Sequence, residues 1–193
     1  KAGFTTRKDG HKRIVFLCSE SDMGNPNVPD EVWKAINGMM ILSPWNVYKD
    51  LTKRPEIQRA RLERWSPAEC VMALQGYLIG IMGRLEAWSV TLAARETVAG
   101  KQWSDIAHIH RYVSVSDQAT ADALIPELLR MPAAVRGVSY EPAVGPVDFS
   151  QWLPEDRCCC GIIGCPNEGL DHIIHGGESG RSARPYDLEW ARS

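Results

Sequence analysis

The chain has 193 residues, a formal net charge of −2, 44% hydrophobic residues and 24% charged residues. That length supports one sizeable core rather than two, and the near-neutral charge excludes a surface that coats nucleic acid generally, leaving room only for a local basic groove. The longest apolar stretch, Val71 to Leu85, is interrupted by Gln75, Gly80 and Arg84 and is too short to span a bilayer, so no membrane role is expected.

After a basic, aperiodic lead-in over 1–12, Arg13-Ile-Val-Phe-Leu-Cys18 is a continuous apolar run of strand length. Strands buried on both faces of a parallel sheet have this pattern. The run ends in Ser19-Glu20-Ser21-Asp22. Asp30 is placed to cap a helix from Glu31 to Leu42, with Val32, Trp33, Ile36, Met39 and Met40 on its buried side. Asn46 to Thr52 is a weaker strand, because Lys49 and Asp50 stand where a central strand wants apolar residues. Lys53-Arg54-Pro55 follows, then a helix carrying Ile57, Leu62 and Trp65; the basic run Arg54 to Arg64 is its solvated face.

Ser66-Pro67-Ala68-Glu69 is a capping box with proline at the first helical position. Behind it Val71, Leu74, Leu78, Ile81, Met82, Leu85, Trp88 and Leu92 recur at helical spacing, with a break expected near Gly80 or Gly83. Residues 66–108 therefore form a helical insertion within a single α/β domain, and its apolar face is a candidate partner surface. Ile109 to Val115 is the third strand, ending in Ser116-Asp117-Gln118, and a helix from about Ala119 to Met131 contains Pro126, where a kink or late start is expected. Ala134 to Tyr140 is the fourth strand, ending in Glu141-Pro142. A cysteine-rich loop occupies 154–170. The fifth strand then ends in Gly176-Gly-Glu-Ser-Gly180, and Asp187 is placed to cap a last helix.

Strand and helix alternating at this spacing give βαβ units and a parallel sheet, either a partial or complete (β/α) barrel or, alternatively, an open doubly wound sheet. Both place ligands at the carboxyl ends of the strands. On that reading Glu141 and Glu178 supply acid–base or ligand-orienting carboxylates. Lys53 and Arg54 make a positive clamp for a carboxylate or phosphate, and Ser19, Asp22, Ser116, Asp117, Gly176, Gly177 and Ser179 complete the ligand-binding rim. Taken singly, each cluster also has the composition of a cap for the helix that follows it.

The six cysteines do not spread in pairs as a secreted framework does: Cys18 and Cys70 stand apart, and Cys158, Cys159, Cys160 and Cys165 are bunched. A reducing cytoplasmic compartment follows. Cys160 and Cys165 with His172 and His175 have tolerable spacing for a tetrahedral zinc, with free thiols as the alternative. His108 and His110 read as ordinary histidines at the start of a strand. Trp33, Trp65, Trp88 and Trp103 fall in or beside helical patterns and read as packing residues.

Five strings occur in one order: Ser19-Glu-Ser-Asp22, Leu51-Thr-Lys-Arg-Pro55, Val113-Ser-Val-Ser-Asp-Gln118, then Pro132-Ala-Ala-Val-Arg136 with Glu141-Pro142 and Gly145-Pro-Val-Asp148, and finally Gly176-Gly-Glu-Ser-Gly180 with Ala183-Arg-Pro185. Together they resemble a phage- and prophage-borne family of uncharacterised three-Cys-motif proteins related to the radical-SAM barrels. The resemblance covers most of the chain outside the helical insertion and the cysteine-rich loop. It implies a (β/α) barrel of radical-SAM type in the bacterial host cytoplasm, with three N-terminal cysteines holding an iron–sulfur cluster and S-adenosylmethionine; a nucleic acid or nucleotide substrate is an expectation from the phage context alone. No such cysteine motif precedes Arg13 and no closing barrel element follows Ser193, so the expectation is an interior portion that is not catalytic alone. Two other readings stand beside it. One is a phage accessory protein that binds a host or phage protein through the 66–108 insertion, with open strand edges that favour oligomers. The other is a zinc-stabilised binding module.

Overall fold

The computed structural model describes residues 12–17, 21–153 and 169–191. Five parallel strands form one sheet in sequence order: β1 (Arg13–Leu17), β2 (Asn46–Thr52), β3 (Ile109–Val115), β4 (Val135–Tyr140) and β5 (His172–His175). Crossovers between parallel strands are right-handed, so a strictly sequential order returns every connection on the same side of the sheet. The sheet accordingly curls into a half-barrel. A doubly wound sheet requires a point where strand order reverses. The sequential order has none, which corrects the open-sheet alternative.

Three helices follow strands directly: α1 (Asp30–Leu42), α2 (Pro55–Arg64) and, after β3, α5 (Gln118–Leu129). Asp117 caps α5 by accepting the Thr120 backbone N–H at 2.8 Å, while the Thr120 hydroxyl accepts from the backbone of Ser116 at 2.9 Å. The helix passes through Pro126 and ends two residues before Met131. Between α2 and β3 lie α3 (Pro67–Met82) and α4 (Arg84–Val98). The Ser66–Glu69 capping box starts α3, with the Glu69 carboxylate accepting the Ser66 N–H at 2.8 Å. Gly83, at φ 90°, turns the chain into α4 in a conformation that other residues resist. The body of α3 packs on α1 at Gly38, where a Cβ would stand 2.3 Å from the Cys70 carbonyl oxygen.

Trp33, Met40, Tyr48, Val71, Val113 and Ile125 belong to the core between the helices and the sheet's convex face. The far end of the α3–α4 hairpin runs past this core, leaving Ile81 79%, Leu85 82% and Trp88 55% exposed. Among the described residues, no helix is long and apolar enough to cross a membrane. Where a last helix was expected after Asp187, the chain makes a 3₁₀ turn over Leu188–Ala191.

The charges that weaken β2 and β3 as sequence patterns are paired by register. Asp50 lies opposite Arg111 and Lys49 opposite His110. Asp50 and Arg111 point outward under the helices, both fully buried, and form an ion pair. Gln58 donates to the same Asp50 oxygen at 2.6 Å and accepts from the Trp33 indole at 2.9 Å. Arg111 also donates to Asn37 at 2.8 Å, tying α1 into the network. Lys49 and His110 point to the concave side.

Candidate functional site

Parallel strands bring all their carboxyl ends to one rim, and the sequence strings after the strands meet there. Asp22 is the clasp between the first and second. Its Oδ1 accepts from the Gly24 N–H at 2.7 Å and the Thr52 hydroxyl at 2.6 Å, and its Oδ2 accepts from the Lys53 N–H at 3.2 Å and from Arg54 at 2.7 Å. Burial alone raises its pKa, but these four hydrogen bonds outweigh burial and hold the carboxyl below its ordinary value. Gly24 is required by the close approach, since a Cβ there would meet the Thr52 hydroxyl at 2.4 Å. Asp22 and Arg54 are thus committed to each other, while the Lys53 side chain extends exposed from the clasp.

A cleft of about 750 Å³ opens beside it, lined among others by Lys53, Ser114, Ser116, Asp117, Thr120 and Arg184. Asp117 takes part chiefly as the cap of α5, and the Thr120 backbone N–H is what depresses its pKa. Glu141 stands against the bare face of Gly176, where a Cβ would be 2.6 Å from its carboxylate. Gly177 is packed by Tyr186, 2.9 Å from where its Cβ would be, and Ser179 is exposed. Arg184 grips Glu178 with both ends of its fork, Nε at 2.8 Å and Nη2 at 3.0 Å, and donates its backbone N–H at 2.9 Å. Those side-chain bonds, with the backbone bond second, push the Glu178 carboxyl down to about 2. At neutral pH it is an anion with no proton to give, so its geometry is that of an orienter of Arg184 rather than an acid.

The rim therefore gathers Lys53, Ser116 and Asp117 around one cleft, sets Asp22 and Arg54 behind it as support, and sets Glu178 behind Arg184. Ser19 lies outside the described residues, as do Cys160 and Cys165. Arg184 and Ser114 were visible in the sequence as motif letters, but nothing in the spacing marked Arg184 as the lining cation. The proposed zinc set is not assembled by its histidines. His172 and His175 are three apart on one strand, so their side chains leave opposite faces. The His172 Nδ1 is 2.8 Å from the Tyr112 hydroxyl, whereas His175 is bonded to Tyr186. From β5 the two imidazoles diverge, and the other two members of that set, Cys160 and Cys165, lie outside the described residues.

Among the described residues no group of three or more His, Cys, Asp or Glu is placed to hold a metal ion. Their one cysteine, Cys70, is buried under α1, and burial pushes its thiol up to about 12. The described donors do not fit an iron–sulfur cluster, which needs convergent thiolates.

Searches of curated proteins and of solved structures gave no match. A family profile matches residues 4–193, nearly the whole chain, and on that match the chain belongs to the family described as "Protein of unknown function (DUF5131)".

Proposed function

We propose that the chain is the ligand-binding part of a phage-type, radical-SAM-like (β/α) barrel protein, and that its rim cleft takes S-adenosylmethionine or a similarly charged nucleoside ligand. The observation that carries this is the cleft itself. Lys53 lines it with no ion-pair partner among the described residues, Arg184 is fixed beside it by Glu178, and the hydroxyl-bearing Ser114 and Ser116 line the wall with them. Its volume falls in the ordinary range for small-molecule sites. S-adenosylmethionine offers a carboxylate for a cation and ribose hydroxyls for serine side chains, so these residues fit it. When bound it supplies an activated sulfonium; the chain's residues bind and orient it. No step through an iron–sulfur cluster is derived for this chain.

The test is calorimetric titration of the 193-residue chain with S-adenosylmethionine and with S-adenosylhomocysteine. Binding is expected for both, weakened about tenfold or more by Lys53→Ala. Absence of binding to either at millimolar concentration, or unchanged affinity in the variant, overturns the reading.

A second reading has its own observation. The apolar end of the α3–α4 hairpin is uncovered, as a protein-docking surface would be. Its measurement belongs to the whole molecule and is argued below.

A further inference from the structure

A filled (β/α) barrel packs branched apolar side chains inside. The concave face of this half-barrel departs from that along one band. Register places Phe16 of β1 beside Lys49 of β2, and Lys49 beside His110 of β3. Two residues further along β3, Tyr112 projects to the same face opposite Gly137, which in turn pairs with His172.

The Lys49 ammonium lies 5.6 Å from the centre of the Phe16 ring and 5.1 Å from that of Tyr112, so it is held between two aromatic rings. The Tyr112 hydroxyl reaches His172 Nδ1 at 2.8 Å, the rings meeting edge to face. Gly137 makes that reach possible. A Cβ there would stand 2.3 Å from Tyr112 Cε1, so the ring crosses β4 over a missing side chain. The result is a continuous floor from Phe16 through Lys49 and Tyr112 to His172, spanning the sheet from edge to edge.

The inward strand positions carry bases and no acid, and Asp171, just before β5, is the acid that acts on His110 and Tyr112. The neighbouring residues Asp50 and Arg111 neutralise each other on the convex face, but no inward-facing position of the described strands is acidic. Lys49 has no ion-pair partner among the described residues. The acid nearest the foot of β5, Asp171, is exposed and accepts the Arg136 backbone N–H at 2.7 Å. In the tautomer in which Tyr112 donates to Nδ1, His172 presents Nε2–H as a donor. His110 bonds backbone at Ala107 and shares the face with both. Burial lowers the pKa of Lys49, His110 and His172 alike; the Lys49 charge lowers both histidines further, and Asp171 offsets part of this at His110.

We propose that the concave face is a second binding site, for an anionic group, carboxylate or phosphate, with Lys49 as its charged anchor beside the exposed Phe16 ring and His172, held from beneath by the buried Tyr112, as a flanking donor. It stands independently of the rim reading, because Lys53 and Arg184 take no part in it.

The test is a histidine-resolved NMR titration of the chain with inorganic phosphate and, separately, with acetate, at constant ionic strength. The His110 and His172 signals are expected to move saturably with at least one anion while those of His108 and His175 stay. Saturation by phosphate assigns a phosphate ligand, and saturation by acetate alone assigns a carboxylate. Lys49→Met, which keeps the stem between the rings, is expected to raise the half-saturating concentration about tenfold or more. Lys49→Gln is compared in parallel, and far-UV circular dichroism identifies which variant is folded. The proposal is overturned if His110 and His172 do not move up to about 100 mM of either anion, or if a folded Lys49 variant saturates as the parent does.

Discussion

Glu178 stands among Gly176, Gly177 and Ser179, where sequence composition points to catalysis, yet Arg184 decides what its carboxylate does. Two fork bonds and a backbone bond favour the ionised form, even though the Arg184 side chain is exposed to water. The folded-state pKa is depressed to about 2, so the clasp is complete above the ordinary 4.5 of a free glutamate and is lost as pH falls from there through about 2. Carboxyl-carbon NMR of Glu178 is expected to report that low midpoint in the parent chain. In Arg184→Gln the midpoint returns to the ordinary glutamate range, and in Arg184→Lys, which keeps charge without the fork, it recovers part of the depression. An unchanged midpoint in Arg184→Gln rules the clasp out. If the clasp orients Arg184 toward the cleft, S-adenosylmethionine binding weakens in the same acid window.

At the scale of elements, β2 and β3 are held in the sheet by a device that neither strand displays alone. Asp50 and Arg111 each occupy a convex-face position that would cost several kcal/mol if left unpaired. Burial pushes the Asp50 carboxyl up, against the attraction of Arg111, and its Oδ1 has no hydrogen-bond partner among the described residues. Removing Arg111 leaves that acid buried without a cation. Arg111→Met is expected to lower unfolding free energy by about 3–5 kcal/mol, and Asp50→Asn with Arg111→Met by clearly less than the sum of the single changes. Urea unfolding measures both, and a cost below about 1 kcal/mol for Arg111→Met would show that the pair is not what docks α1 and α2 on the sheet. The same pair marks how far the sequence could be read. Continuous apolar runs and caps such as Ser66–Glu69 are local signals, and they located the strands, helices and parallel class. Lys49-Asp50 and His110-Arg111 looked like defects because register couples residues 61 apart in the chain, and no local pattern carries it. Which residues follow each strand was legible because strand ends are local. The clasp of Asp22 to Thr52 and Arg54, the grip of Arg184 on Glu178 and the crossing of Tyr112 over Gly137 were not, since each is a contact made by tertiary folding.

Across the whole molecule, a curled sheet with two outer strands and a hairpin that outruns its core leaves apolar side chains exposed at two ends of the described residues. On β1, Ile14 and Phe16 are exposed on the concave side, and at the hairpin end Ile81, Leu85 and Trp88 are exposed together. Edge strands and apolar patches of this kind drive association unless something covers them. The hairpin end is the stronger of the two, because its side chains sit on preformed helices and lose little backbone freedom on docking. Light scattering across a concentration series is therefore expected to show self-association of the isolated chain. Ile81→Glu with Leu85→Glu should shift it to monomer while far-UV circular dichroism stays unchanged, because both side chains lie outside the core. If wild type remains a clean monomer throughout, the hairpin is not an association surface and the docking reading fails with it. If the double variant still associates, the contact runs through the strand edges, and Phe16→Lys becomes the substitution that dissolves it by placing a second cation beside Lys49.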